Sequence, residues 1–261
     1  MDKIAVVTGA THGIGRATVE SLLQAGWDVW GFDLDEKQVS AAVPSGRKYR
    51  HQYCDVSDPA SVKNAFDAVR RETDTIGALV CNAGLTIVGE LTEISIEDVD
   101  RMYAVNLKGP WLTIREGLDL LQKNASVEDP SRVVLTGSIG GMRPKVGNGF
   151  YSALKQAAHT IANVLAVELA ATGVIVNTVA PGTTDTRMSR ESARSAKPSS
   201  KFKVSGTSPL GRIGKPQDIA NAIMFFLSDE AKYINGAVLA VDGGTRAAYT
   251  GVSSDAFKSG A

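Results

Sequence analysis

The stretch KIAVVTGATHGIG, Lys3 to Gly15, decides how the rest of the chain is read. It opens with a short apolar run, IAVV, whose length and β-branched residues suit a buried strand. Glycines follow at 9, 13 and 15, and beyond them apolar residues recur at helical spacing. A strand that turns through glycines into a helix makes an anion cradle. The first N–H groups of the helix have no partner within it, and its dipole favours negative charge there. Gly9, Gly13 and Gly15 leave the backbone bare enough for a diphosphate to approach, with Ile14 between the last two. His12, just before Gly13, is a candidate to reach a phosphate, although a loop histidine of no special role reads the same. A nucleotide-hydrolase loop needs Gly-Lys-Ser or Gly-Lys-Thr, which this stretch lacks, so that class drops out.

Outward from this unit the pattern repeats. The runs at 3–8, 28–33, 49–54, 78–81, 132–137, 174–180 and 237–242 read as buried strands. Helical patterns fall near 14–25, 58–72, 96–122, 150–172 and 216–228, with a short one near 36–42. Strand and helix in alternation predict an α/β fold: a single-domain, Rossmann-type, doubly wound parallel sheet of about seven strands with helices on both faces. No proline- or serine-rich linker divides the chain. We therefore expect one domain, with a dinucleotide-binding half over about 1–130 and a catalytic and substrate half over about 131–244. The segment 183–214 is too long for an ordinary connection and is expected to be a lid. The tail, 245–261, is polar and without a strong pattern.

Composition narrows the function classes. The 261 residues carry 28 basic and 28 acidic side chains, so neither nucleic acid nor a membrane surface is the expected partner. The two cysteines, Cys54 and Cys81, lie in apolar runs and read as small buried hydrophobes in a reducing compartment. No cluster has metal-ligand spacing, so no catalytic metal is expected. No basic-then-apolar leader precedes the first strand and no run reaches membrane-spanning length, so the expected setting is cytoplasmic.

Two further features point to chemistry. Asp33 ends the second strand, 18 residues after Gly15, where a carboxylate accepts hydrogen bonds from both hydroxyls of an adenosine ribose. It also repels a 2′-phosphate, and Leu34 offers no compensating charge, so the expected cofactor is NAD. In FYSALK, residues 150–155, Tyr151 and Lys155 stand four apart and share one face if the segment is helical. Alone they titrate near ~10 and ~10.4. Held together, the ammonium is expected to favour the phenolate and lower the tyrosine pKa. By itself Tyr-x-x-x-Lys also describes a half-buried ring beside a snorkelling chain.

The glycine spacing and the Tyr-x-x-x-Lys pair together resemble the short-chain dehydrogenase/reductase family. Further motifs stand in that family's order: CDV at 54–56, NAG at 82–84, Asn106 in AVNLKG, Ser138 in LTGSIGG and PGTTDT at 181–186. The resemblance extends to about Gly244. It implies that Tyr151 is the acid/base, and that Lys155 stabilises its phenolate and holds the nicotinamide ribose. It further implies that Ser138 holds the substrate oxygen, and that Asn106 kinks its helix and anchors a water relay. Asp55 and Val56 are implied to contact the adenine, and Asn82, Ala83 and Gly84 to lie behind the diphosphate and ribose. Thr184 and Thr186 are implied to meet the carboxamide, and Pro181 and Gly182 beside them to line the cofactor. By the same resemblance the chain assembles as a homodimer or homotetramer, and His159 is a packing residue near that interface.

The family handles many substrates on one scaffold, so the fold does not choose among them. DVWGFD, PGTTDT and PLGRIGKPQDIAN are similar to stretches in members that oxidise cyclic dihydrodiol carboxylates, though they also recur widely in the family. Arg143 and Lys145, between the serine and the tyrosine, are candidates to pair with a carboxylate at the pocket mouth. Six bases stand against Glu191 alone between Arg187 and Gly206, starting with Arg187 itself, and either focus an anion or make a solvated surface. The resulting expectation is NAD-dependent oxidation of a secondary alcohol or cyclic diol, on a small cyclic or aryl compound, possibly a carboxylate. The alternative is a dinucleotide-binding regulatory or scaffold protein without turnover; the presence of the full catalytic set argues against it.

Overall fold

The computed structural model describes residues 3–35, 43–195 and 207–247. Seven strands form one sheet in the order β3-β2-β1-β4-β5-β6-β7, every neighbouring pair parallel. They are β1 Ile4–Thr8, β2 Asp28–Asp33, β3 Tyr49–Tyr53, β4 Ala78–Cys81, β5 Ser131–Thr136, β6 Val174–Pro181 and β7 Val238–Val241. The helices are α1 Gly13–Gln24, α2 Pro59–Arg70, α3 Ile96–Tyr103, α4 Gly109–Gln122, α5 Gly149–Glu168, α6 Arg187–Ser195 and α7 Pro216–Phe226. This is the doubly wound fold that the alternating pattern predicts.

Alternation along the strands divides the core in two. Val6, Leu79 and Val133 face one layer, where Phe66 of α2, Ile114 and Leu121 of α4 and Ala162 of α5 pack. Val7, Val80 and Val134 face the other, against Val19 and Leu22 of α1 and Ile219 and Ile223 of α7. Helix starts follow local chemistry. Asp58 accepts from Ala60 N at 3.0 Å and Ser61 N at 3.2 Å to cap α2, with Pro59 in the first turn. Ser95 accepts from Asp98 N at 3.1 Å to cap α3. Cys54 and Cys81 are free and buried.

The fold departs from the pattern in two places. The helical stretch read over 96–122 is broken by a π-turn at 104–108, which separates α3 from α4. Fully buried Asn106 sits in that turn and donates to Met102 O at 3.1 Å and Leu85 O at 2.8 Å, so a side-chain amide takes the carbonyl that a regular turn would satisfy. The segment 183–214 is not wholly irregular, because its first part forms α6. Residues 196–206 of the expected lid, the short helix read near 36–42 and the tail beyond 247 lie outside the described residues.

In the sheet order, β1 and β4 are adjacent while their following connections run to opposite sides. A crevice opens at the carboxyl ends of the strands at such a switch point.

Candidate active site

A cleft of about 620 Å³ opens at that crevice. Its floor is the glycine loop. Gly9 and Gly13 have φ of 63° and 53°, left-handed values that favour glycine. A Cβ at Gly15 would collide with the Gly9 carbonyl, and one at Gly9 would press Ala83 Cα at 3.0 Å. Asn82 fixes the loop: its Nδ2 donates to Thr8 O and Gly9 O, both at 3.1 Å, while its Oδ1 accepts from Thr136 Oγ1 at 3.2 Å. The backbone N–H groups of Asn82 and Ala83 both donate to Thr8 Oγ1 at 3.0 Å. The His12 side chain makes no capping bond to α1, so the first turn presents its N–H groups to the cleft.

Asp33 stands at the end of this floor. Its Oδ2 accepts from Thr11 N at 2.9 Å and Thr11 Oγ1 at 2.7 Å, and its Oδ1 from Asp35 N at 3.1 Å. Because Thr11 Oγ1 gives its single proton to Asp33, the 2.8 Å contact with His12 Nδ1 requires His12 to donate there. His12 thus lines the cleft beside the carboxylate, with Nε2 3.9 Å from Asp35 Oδ2. Thr11 was not legible as a site residue; a threonine in a turn carries no distinguishing pattern.

The pair on α5 shares one face, as its spacing predicts. Lys155 Nζ lies 5.8 Å from the Tyr151 ring centroid and donates to Thr136 O at 2.9 Å. Burial pushes Lys155 down to about 8, against a smaller opposing influence of Cys81. Burial also raises Tyr151, and only its hydrogen bond with Ser138 pulls the other way. The expected lowering of the phenol by Lys155 is therefore not what this geometry gives, since the ammonium is turned to a carbonyl and desolvation dominates. A Cβ on Gly84 would meet Asn106 Oδ1 at 3.0 Å and Lys155 Nζ at 3.7 Å, so the asparagine and the lysine flank one narrow gap.

Ser138 is positioned from two sides. Its Oγ accepts from Gly140 N at 3.0 Å, and its backbone N donates to His159 Nε2 at 3.4 Å. His159 is buried, and burial, then the charge of Lys155, pushes it down to about 4. It is a neutral acceptor behind the serine, more specific than the packing role expected of it.

The remaining site residues divide. Ile14, Asn82, Ala83, Gly84, Pro181, Gly182, Thr184 and Thr186 line the cleft with Gly9, His12, Gly13 and Asp33. Gly15 lies beneath it as a support. Asp55 and Val56 are outside the lining: Asp55 Oδ1 accepts from Ser57 N at 2.9 Å and Ser57 Oγ at 2.7 Å, and Val56 is core, where a Cβ on Gly109 would meet it at 3.1 Å. Leu85 to Val88 and Met188, Ser189 and Ser192 of α6 line the cleft without any sequence signal.

A second cavity of about 410 Å³ continues from the first past Ser138 and Tyr151, and both Arg143 and Lys145 line it. Arg187 lines the first and is paired with Glu191, Nε to Oε1 at 2.7 Å, while Arg190 pairs with Asp185 at 2.8 Å. Two of the six bases counted from the sequence are thus neutralised locally. Lys197, Lys201 and Lys203 lie outside the described residues. Among the described residues no helix is long and apolar enough to cross a membrane.

The arrangement can bind a dinucleotide. Bare backbone at Gly9 and Gly13, open N–H groups at the start of α1 and a fixed carboxylate at 33 match its diphosphate and ribose. The profile of the family described as Enoyl-(Acyl carrier protein) reductase matches residues 9–246. The 3-oxoacyl-[acyl-carrier-protein] reductase FabG of Escherichia coli (strain K12) is 34% identical over 243 residues, covering 93% of this chain and 96% of that protein. The 2,3-dihydro-2,3-dihydroxybenzoate dehydrogenase of the same organism is 33% identical over 247 residues, covering 92% and 95%. The crystal structure of a 3-ketoacyl-(acyl-carrier-protein) reductase from Brucella melitensis complexed with NADH superposes with a TM-score of 0.82 at 26% identity, covering 93% of this chain and 98% of that one.

Proposed function

The chain belongs to the short-chain dehydrogenase/reductase family, and from that premise we propose that it is an NAD-dependent dehydrogenase. It oxidises a secondary alcohol or cyclic diol on a small cyclic or aryl compound to the ketone. Asp33 carries the reading: a carboxylate held by two bonds from Thr11 accepts ribose hydroxyls and repels a 2′-phosphate, and the neighbouring Leu34 brings no cation.

Gly9, Gly13, Asp33, Asn82 to Gly84 and Pro181 to Thr186 would hold the dinucleotide. Bound in this cleft, the oxidised nicotinamide supplies a hydride acceptor and positive charge. Tyr151 removes the hydroxyl proton of the substrate, and that role requires its raised pKa to fall, so Lys155 alone, 5.8 Å from the ring centroid, is insufficient. Ser138 holds the substrate oxygen in line with Tyr151, and His159 fixes Ser138 from behind through the backbone bond at 3.4 Å. Asn106 fixes the 85 loop against the π-turn through its bonds to both backbone groups of Leu85. The name of the relative that oxidises a dihydrodiol supports the direction from alcohol to ketone; the 3-oxoacyl reductase name supports the reverse.

The chain works as a homodimer or homotetramer in the cytoplasm. Exposed Trp111 on α4 and Val164 and Val167 on α5 are apolar positions that a second copy would cover.

The test is the rate of NAD⁺ and NADP⁺ reduction, followed by near-ultraviolet absorbance over a panel of cyclic and aryl secondary alcohols and diols. NAD⁺ is expected to be preferred. Tyr151→Phe should lower kcat by about 10²–10⁴-fold while dinucleotide binding persists. Preference for NADP⁺, or full activity of Tyr151→Phe, would sink the reading.

A further inference from the structure

Full charges around the larger cleft are few. Among its described lining residues the permanent cations are Lys155 and Arg187, and the acids are Asp33 and Glu191. Lys155 is buried and donates to Thr136 O at 2.9 Å, which commits its ammonium to the Tyr151 end. A diphosphate brings two negative charges to the glycine loop, where the N–H groups of α1 supply only partial positive ones. Arg187 is the remaining permanent cation that can meet them.

The geometry sets Arg187 over that loop. A Cβ at Gly13, the residue that opens α1, would meet Thr186 Cγ2 at 3.1 Å, so the residue before Arg187 already rests on the glycine loop from the opposite wall. Thr186 also starts α6: its Oγ1 accepts from Ser189 N at 3.2 Å, and its carbonyl accepts from Arg190 N at 3.1 Å. The first turns of α1 and α6 approach each other there, and Arg187 is the first residue of α6. Its surroundings reach across the cleft. Glu191 first, and then the more distant charge of Asp35 beyond β2, hold Arg187 above the usual arginine range. Asp35 lies two residues past Asp33, the expected ribose partner, so Arg187 stands between α6 and the ribose end.

Glu191 balances the charge of Arg187 without using all its donors. It accepts from Nε at 2.7 Å, one turn along α6, and no described residue takes either Nη group. A guanidinium held at Nε presents its Nη groups as a fork that suits phosphate oxygens. The two side chains are 67% and 59% exposed, and an ion pair that open is worth little against a doubly charged ligand.

Resting on the dinucleotide reading above, we propose that Arg187 is a cofactor-binding residue that closes over the diphosphate from α6, opposite the glycine loop. Its Nη groups donate to the diphosphate oxygens, while Glu191 holds Nε and its own charge opposes the bound anion. A base that reads from the sequence as a means of drawing in an anionic substrate thus serves the cofactor instead.

Binding to the whole chain tests this without turnover, by fluorescence titration with NADH and calorimetry with ADP-ribose, which lacks the nicotinamide. In Arg187→Met both ligands should bind about tenfold or more weakly, and NADH affinity should fall less steeply with salt than in the wild type. Arg187→Lys should recover only part of the loss, since an ammonium is a single point charge. Glu191→Gln removes a negative charge that faces the diphosphate and should tighten NADH by about two- to fivefold. Both side chains are exposed, so neither substitution should move the melting temperature. Unchanged NADH binding in Arg187→Met would overturn the proposal and return Arg187 to the substrate or to solvent. Weaker binding in Glu191→Gln would also overturn it, by making the ion pair a brace of α6. If the wild type binds neither NADH nor ADP-ribose, the dinucleotide reading falls and the proposal with it. If both bind through Arg187 and no alcohol is turned over, the proposal stands and only the dehydrogenase reading falls.

Discussion

The glycine loop at 9–15 and the loop at 143–148 border the same cleft, yet they are held in different ways. The first is fixed by backbone contacts that leave no slack. Asn82 reaches two of its carbonyls, Thr8 bonds two successive N–H groups from the neighbouring strand, and Gly15 lies against the Gly9 carbonyl with no room for a methyl group. The second carries exposed Arg143, Pro144 and Val146 and is pinned at a few points, chiefly through Gly147 and Asn148. A dinucleotide presents the same diphosphate and ribose whatever the reaction, so the floor must reproduce one geometry. On the proposed reading, the rim would meet the variable part of the reaction and would need only to place a few polar groups.

The difference can be broken most directly at the floor. Gly15→Ala forces a Cβ onto the Gly9 carbonyl and within 2.6 Å of Asn82 Nδ2, and the obstacle is backbone that has nowhere to go. We expect a loss of stability of about 1–3 kcal/mol in denaturant melts. NAD⁺ affinity should fall with it, measured by fluorescence titration. Wild-type affinity and stability in this variant would mean that the floor is as pliable as the rim.

Lys155 sharpens the comparison, because function and stability oppose each other there. Burial pulls its pKa from the ordinary lysine value of 10.5 down to about 8 in the fold, so below pH 8 the folded protein holds a buried charge at a disadvantage. The unfolded chain binds more protons between about 8 and 10.5, and stability must rise with pH over that window. Lys155→Met removes this cost, about 3 kcal/mol from the shift, and forfeits the bond to Thr136 O, about 1 kcal/mol. The variant should be more stable by about 2 kcal/mol at neutral pH, with the rise between pH 8 and 10.5 abolished and dehydrogenation lost. A destabilised variant, or one that keeps the pH-dependent rise, would contradict the buried-charge account.

The smallest effect belongs to the rim. Val146 is 72% exposed, and Val146→Ser should change stability by no more than about 0.5 kcal/mol. Substrate preference is the readout in which it should register. A destabilisation of 2 kcal/mol would place the rim under the same constraint as the floor.

Much of this was legible beforehand, and for a physical reason. Strands such as IAVV and ALVC are continuous apolar runs because both faces of a parallel sheet are covered, and the structure ends them within a residue or two of the predicted limits. The glycines, Asp33, Tyr151 and Lys155 were legible as candidates, because a tight turn, a ribose contact and a proton transfer would each demand a particular residue at a set spacing. The break at 104–108 was not, since the amphipathic pattern runs through AVNLK unbroken and the π-turn depends on Leu85, distant in sequence, to receive the Asn106 amide. Helix α6 was missed because RMSRESARS has no apolar stripe and reads as loop. Thr11 was missed, and His159 was given only a packing role, because each acts through another residue, Asp33 and Ser138, and such a role leaves no spacing to read.

The sequence by itself determined the α/β layering, the place of the glycine loop and which residues are candidates for the chemistry, since these follow from local periodicity and from motifs a few residues long. Only the tertiary structure decided where the Lys155 ammonium points, that His159 backs the serine, that Arg187 and Arg190 are already neutralised, and that Lys145 faces the cavity beside Tyr151. Those are outcomes of desolvation and of contacts between segments far apart in the chain, and neither is written in the spacing of neighbours.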